Sequence, residues 1–192
     1  ANRSYTFVKG AETLQATSGQ IQTGLEEFRD TETVDIDYLL MGGGDAGSKT
    51  NSQAIAATVL SIASSRKDTV GFISPYYGDV VGVTSSATQT QNVVEFYSSM
   101  QATSFGVFDS GWKYIYDRFA DKYRYVPLNG DVAGLCASVT ANGTPWFSPA
   151  GLNRGAIRGA VKLAYSPTKS QRDTLYQKRV NPVTSLPGQG IV

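Results

Sequence analysis

The sequence predicts an α/β fold, a layered mixed sheet flanked by helices. Short apolar stretches of period two alternate along the chain with longer stretches at helical spacing. The 41% hydrophobic content is enough for a real core. No internal repeat and no Pro-, Gly- or Ser-rich linker divides residues 1–192, so a single domain is expected.

Residues 5–8 read as a strand stopped by Gly10, and residues 24–29 as a turn or two of helix with Leu25 and Phe28 on one face. Residues 34–41 (VDIDYLLM) alternate and then run apolar, which predicts a strand. A glycine-rich loop follows, then a helix over 51–65 in which Ile55, Val59 and Ile62 share a face and alanines raise the propensity. Residues 69–73 (TVGFI) form a short strand closed by Ser74-Pro75. A polar stretch, 84–91, leads into a helix near 91–100. The aromatic block 105–125 alternates as a ribbon, with strands at 113–117 and 122–126. Asn129 or Asp131 caps a helix reaching about residue 140. Residues 157–164 read as a strand, Ser166-Pro167 starts a basic helix to about residue 179, and the chain is extended from Val183.

Composition excludes several chemistries. The chain has no histidine, which removes Ser-His-Asp and Cys-His catalysis, imidazole metal sites and imidazole pH switching. Its one cysteine, Cys136, makes neither an internal disulfide nor a cysteine-rich zinc site. No stretch is long and apolar enough for a membrane span. The N-terminus has neither an initiator Met nor an apolar signal region, as expected of a piece of something longer. Net charge is +1, but unevenly placed: residues 1–150 carry −5 and residues 151–192 carry +6. Such polarity suits nucleic acid, an acidic partner, head-to-tail contact between copies, or simply a solvated basic face.

Each motif has a chemical reading and a plainer structural one. Gly42-Gly43-Gly44-Asp45-Ala46-Gly47-Ser48-Lys49-Thr50, between a strand and a helix, approaches a phosphate loop. Ser48, however, displaces Lys49 by one position, and Asp45 puts a negative charge inside the loop; a strand-to-helix turn is the alternative. Asp35 and Asp37, about 7 Å apart on one face of an extended strand, can hold a metal or simply face solvent. Cys136 needs a neighbouring base or cation to be a nucleophile; otherwise it is a small apolar residue. Aromatic and basic residues interleave from Trp112 to Tyr125, a pattern that can bind single-stranded nucleic acid, but Asp109, Asp117 and Asp121 offset the charge. Residues 145–155, PWFSPAGLNRG, read as a rigid connection in which Trp146 and Phe147 pack and Gly151 and Gly155 permit tight turns.

That last segment resembles the signature of contractile tail sheath proteins, in which Gly and Trp precede a short Pro-Ala turn. Here the residues that carry the likeness are Trp146, Pro149, Gly151, Asn153 and Gly155. VPLNGDVAGLCASV (126–139) is similar to the turn and helix just upstream in that family, and TLYQKRVNPVTSLPGQGIV (174–192) to its later helix, Asn-Pro strand and glycine turn. DIDYLLMGGG, the Ala-rich helix and VGFISP keep the family's strand–helix–strand order. The wording around Trp146 is most like sheaths of T-even-type phages. There are departures: Gly143-Thr144-Pro145-Trp146 stands for the family's Gly-Val-Trp, and Pro127-Leu128-Asn129-Gly130 for its Pro-Pro-Ser-Gly-like turn.

The resemblance implies a tail-sheath core-like domain of a longer chain, here without the N- and C-terminal arms that pair with neighbouring subunits. It implies a non-enzymatic virion subunit, assembled in the host cytoplasm, that polymerises as a six-start helical sleeve. The implied partners are copies of itself, the tail tube protein, and baseplate and tail-terminator proteins, with no cofactor, nucleic acid or membrane insertion. Contraction of the sleeve drives the tube through the host envelope for genome delivery. A nucleotide-binding α/β enzyme using loop 42–50 is the alternative, and a nucleic-acid-binding module using residues 151–192 a third. On the residues themselves, Lys169, Arg172, Lys178 and Arg179 are the candidate subunit or tube contact.

Overall fold

A computed structural model describes residues 16–192, so the strand expected at 5–8 lies outside the described residues. The first helix, α1 (Ser18–Glu26), begins earlier than residue 24. Thr17 and Gln20 form a capping box: the Gln20 amide donates to Thr17 Oγ1 at 3.3 Å and the Thr17 amide to Gln20 Oε1 at 2.9 Å. A 3-10 turn, Glu27–Arg29, completes it.

Only Tyr38–Leu40 of the expected strand at 34–41 joins a sheet, as β1. Upstream of it, carbonyls that a longer strand would put into a ladder are taken by side chains: Val34 O accepts from Arg66 Nη2 at 2.9 Å and Ile36 O from Thr69 Oγ1 at 2.8 Å. α2 (Lys49–Arg66) leads to β2 (Val70–Ile73), and β2 pairs parallel to β1 with Leu39 opposite Gly71. A short α3 (Tyr77–Val80) and α4 (Ser86–Ser98) lead to β3 (Gly106–Phe108), parallel to β2. Close approach of helix to sheet is built into Gly106, where a Cβ would lie 2.4 Å from Leu60 Cδ2.

The polar stretch 84–91 is more than a lead-in: Ser85 is the N-cap and residues 86–91 are the first half of α4. Its buried side chains are satisfied: Gln89 Nε2 donates to Val80 O at 2.7 Å, and Thr90 Oγ1 lies 2.7 Å from the Tyr165 hydroxyl. Both face a core that includes Ile55, Val59, Phe96 and Leu175.

The aromatic ribbon forms as expected. β4 (Trp112–Asp117) and β5 (Lys122–Pro127) pair antiparallel, Tyr114 stacks on Tyr123 with ring centroids 5.3 Å apart, and β6 (Lys162–Leu163) adds to the other edge of β4. The α/β class holds, with the mixed pairing divided between a parallel sheet β1-β2-β3 and an antiparallel sheet β5-β4-β6.

α5 (Asn129–Ala141) begins without the side-chain cap expected from Asn129 or Asp131. Asn129 instead gives its backbone N–H to Ser74 Oγ (2.9 Å) and its amide to Gly42 O (2.8 Å), tying α5 to the carboxyl ends of β2 and β1. After a one-turn helix α6 (Gly151–Arg154), the strand expected over 157–164 shrinks to β6, because the Ile157 amide bonds to Ile191 O and Gly159 turns the chain at φ +69°. α7 (Lys169–Gln177) is capped at Thr168, whose amide donates to Gln171 Oε1 at 2.8 Å, rather than at Ser166-Pro167. The extended tail folds into a small hairpin, β7 (Ser185–Leu186) with β8 (Gly190–Ile191).

Candidate assembly surface

The glycine-rich loop is a turn held by its own side chains. The Asp45 carboxylate accepts from the Gly47 amide at 2.9 Å and from Asn51 Nδ2 at 2.7 Å, so a negative charge occupies the place a phosphate would need. These hydrogen bonds hold its pKa below the usual carboxylate value, Asn51 contributing most. Ser48 Oγ accepts the Asn51 amide at the start of α2. Lys49 turns away toward α3 and α4, its Nζ 3.2 Å from both Asp79 and Glu95. The Asp45, Gly47 and Ser48 amides, the Ser48 hydroxyl and the Lys49 ammonium are thus committed within the fold.

The other chemical candidates also stay apart. Asp35 and Asp37 are exposed and precede β1 rather than lying within it. Cys136 is half-buried on α5, where burial pushes its thiol pKa up and away from nucleophilic behaviour. In the aromatic ribbon, Arg124 pairs with Asp117, and Lys113 Nζ lies 2.7 Å from Asp131 Oδ1, so two cations of the interleaved pattern are neutralised. Among the described residues no three His, Cys, Asp or Glu side chains converge as a metal set, and no helix is long and apolar enough to cross a membrane.

The segment 145–155 corrects one expectation. Trp146 is 75% exposed and Phe147 46%, so the aromatic pair is presented rather than packed. The rings meet edge-on with centroids 6.2 Å apart, and the Arg154 guanidinium sits 5.0 Å over the Phe147 ring. Arg154 Nε also donates to Ser148 O at 3.0 Å. The turn beneath is tight: a Cβ on the buried Gly155 would lie 2.8 Å from Gly151 N and 2.9 Å from the Ala150 backbone. Pro149 and Asn153 flank this turn, each beside a different cavity.

Those cavities lie along α5. One, 770 Å³, is bordered by Ser138 and Asn142 on α5 and by Phe147, Asn153, Arg154 and Arg158. The other, 410 Å³, is mainly apolar, with Val107, Val132, Pro149, Ile157 and Val183 among its lining. Sequence reasoning missed the first because Arg154 and Arg158 flank an irregular stretch with no helical or strand period to place them on one face.

The four cations of the last segment divide. Lys169 and Arg172 lie in the first turn of α7, while Lys178 and Arg179 follow its last turn, about 13 Å along the axis. Arg172 Nη1 is occupied by Pro167 O at 3.1 Å, and Arg179 adopts a left-handed φ of 64°. None of the four enters an ion pair among the described residues. They form two small basic ends rather than one patch.

A model of the phage tail sheath protein central domain matches residues 15–192. The chain belongs to the phage tail sheath family.

It is similar to the tail sheath protein of Enterobacteria phage T4, at 34% identity over 93% of this chain and 28% of the relative. Against the tail sheath protein of Vibrio phage KVP40, identity is 33% over 98% of this chain and 30% of the relative. The tail sheath protein of Salmonella phage ViI shows 32% identity over 70% of this chain. The chain thus spans less than a third of the length of these sheath proteins. Within this sheath domain, the presented Trp146–Phe147 pair and the arginine-lined groove beside it are among the features that its internal packing leaves unused.

Proposed function

We propose that this chain is one α/β domain of the subunit of a contractile viral tail sheath. Copies of the subunit polymerise into a helical sleeve around the tail tube, and contraction of the sleeve drives the tube through the host envelope. One observation carries the reading: the sheath central-domain match runs through 15–192, and the relatives over that span are tail sheath proteins. The architecture is compatible with it. A sleeve needs heterologous contacts that propagate without closing, and rigid bodies that exchange neighbours while keeping their own fold.

The subunit would work in the virion tail after assembly in the host cytoplasm, against the tube, baseplate and tail-terminator proteins. The basic ends of α7, Lys169 with Arg172 and Lys178 with Arg179, are proposed as lattice or tube contacts; charge reversal at all four that leaves assembly intact would refute that assignment. The function itself is tested by expressing the whole open reading frame that carries this sequence and examining it by negative-stain electron microscopy, with and without purified tail tube. Tubular polymers are expected. A monodisperse product under both conditions would count against the sheath reading.

A further inference from the structure

The most acidic run of the sequence, residues 26–37, holds Glu26, Glu27, Asp30, Glu32, Asp35 and Asp37 against Arg29 alone. All six acids are exposed, and only Glu26 is ion-paired among the described residues, with Arg29. This strip is held in shape from below. The buried Arg66 guanidinium donates to Phe28 O (2.7 Å), Asp30 O (3.0 Å) and Val34 O (2.9 Å), so the strip's backbone is fixed along its length.

The 770 Å³ groove beside α5 has the opposite character. Its Asp131 is already neutralised by Lys113, and the exposed Arg154 and Arg158 enter no ion pair among the described residues, over a floor that includes Leu135, Phe147 and Ile157. The strip rides on the α1–α2 side, where Arg29 Nη2 donates to Ser61 Oγ on α2, and the groove belongs to α5 and the segment after it. No hydrogen bond or ion pair joins strip and groove within one chain among the described residues.

We propose that the arginine-lined groove receives the acidic strip 26–37 of a second copy, forming a head-to-tail contact. Two different patches then meet, so the contact propagates from copy to copy instead of closing a dimer. Opposite potentials set the register and speed encounter, and Phe28, 36% exposed within the strip, supplies an apolar group for the groove floor. The inference rests on the sheath reading, because it takes the partner to be another copy of the chain.

The test uses the full-length protein and two charge-reversed variants. One carries Glu27→Lys, Glu32→Lys and Asp35→Lys; the other carries Arg154→Glu and Arg158→Glu. Each alone should lose tubular polymers while keeping the far-UV circular dichroism of the unmodified protein. Mixed in equal amounts they should recover tubes, since each reversed patch then meets a reversed partner, and all five changes in one chain should do the same. Should a reversal fail to fold, Arg158→Gln and Glu32→Gln replace it, with at least a tenfold rise in critical concentration expected. Tubes from either reversed variant alone would overturn the contact while leaving the sheath reading in place. Loss in each without rescue on mixing would assign the groove to a different occupant and also overturn it. If the unmodified protein forms no tubes, the sheath reading fails and this contact fails with it.

Discussion

Ser74 at the end of β2 donates its hydroxyl to the carboxyl of Asp109, just past β3, at 2.6 Å with both side chains buried. The same hydroxyl oxygen accepts the Asn129 amide, and Asp109 Oδ1 accepts the Gly111 amide at 2.9 Å. One buried carboxyl therefore links the parallel sheet, the turn into β4 and the start of α5.

Burial pushes the Asp109 pKa up to about 8, with the Ser74 and Gly111 hydrogen bonds opposing the rise. The folded protein then holds a proton that the unfolded chain releases near pH 4, so the contribution of this group is fullest below about pH 4. It falls as pH rises toward about 8 and levels off above that. Asp109→Asn should flatten this slope, measured as urea stability at pH 5 and pH 8. Asp109→Ala should cost about 2 kcal/mol or more at either pH, because it strands the Ser74 hydroxyl and the Gly111 amide.

The two tryptophans should respond in opposite ways. Trp112 is 5% exposed, donates Nε1–H to Pro75 O at 2.9 Å and meets Tyr77 edge-on at 5.2 Å, so Trp112→Ala should cost about 3–5 kcal/mol in denaturant melts. Trp146, being presented to solvent, should change stability by less than about 0.5 kcal/mol when replaced by Ser. A large loss at Trp146 would mean that segment 145–155 packs more tightly than its exposure shows.

Arg66 ends α2 with its side chain 1% exposed and also pairs with Asp68 at 2.9 Å. Arg66→Met should cost about 3 kcal/mol and open residues 26–37 to limited proteolysis, since three carbonyls of that stretch lose their donor. Lysine should not rescue, because a single ammonium cannot serve three separated carbonyls and a carboxylate.

Lys49 distinguishes a structural turn from a nucleotide loop. Mg-ATP at millimolar concentration should shift the melting temperature by less than about 1 °C, where a working phosphate loop would raise it by several degrees. Lys49→Met should instead act through Asp79. Burial lifts that carboxyl to about pKa 6 against the opposing pull of Lys49, and its Oδ2 has no hydrogen-bond partner among the described residues. The loss should be larger at pH 8, where Asp79 is charged and needs the lysine, than at pH 5; about 1–3 kcal/mol at the higher pH is expected.

Local patterns in the sequence determined a good deal. The α/β class, α2, β2 and the β4–β5 ribbon were legible because helical spacing and strict alternation are short-range signals. The order of motifs from DIDYLLMGGG through PWFSPAGLNRG carried the sheath resemblance. Tertiary structure decided what depends on partners distant in sequence. Arg66 and Thr69 take the Val34 and Ile36 carbonyls that would have extended β1, and Tyr165 and Val80 satisfy the polar half of α4, so polarity there no longer marks a loop. Trp146 is exposed although tryptophan is usually part-buried, because its neighbours turn at Gly151 and Gly155 before the chain returns to the core. That Arg154 and Arg158 border one groove, and that the acids of 26–37 all face water, emerged only in three dimensions. A charge count locates each along the chain, but only packing decides which carboxylates and guanidinium groups are already paired and which still face water.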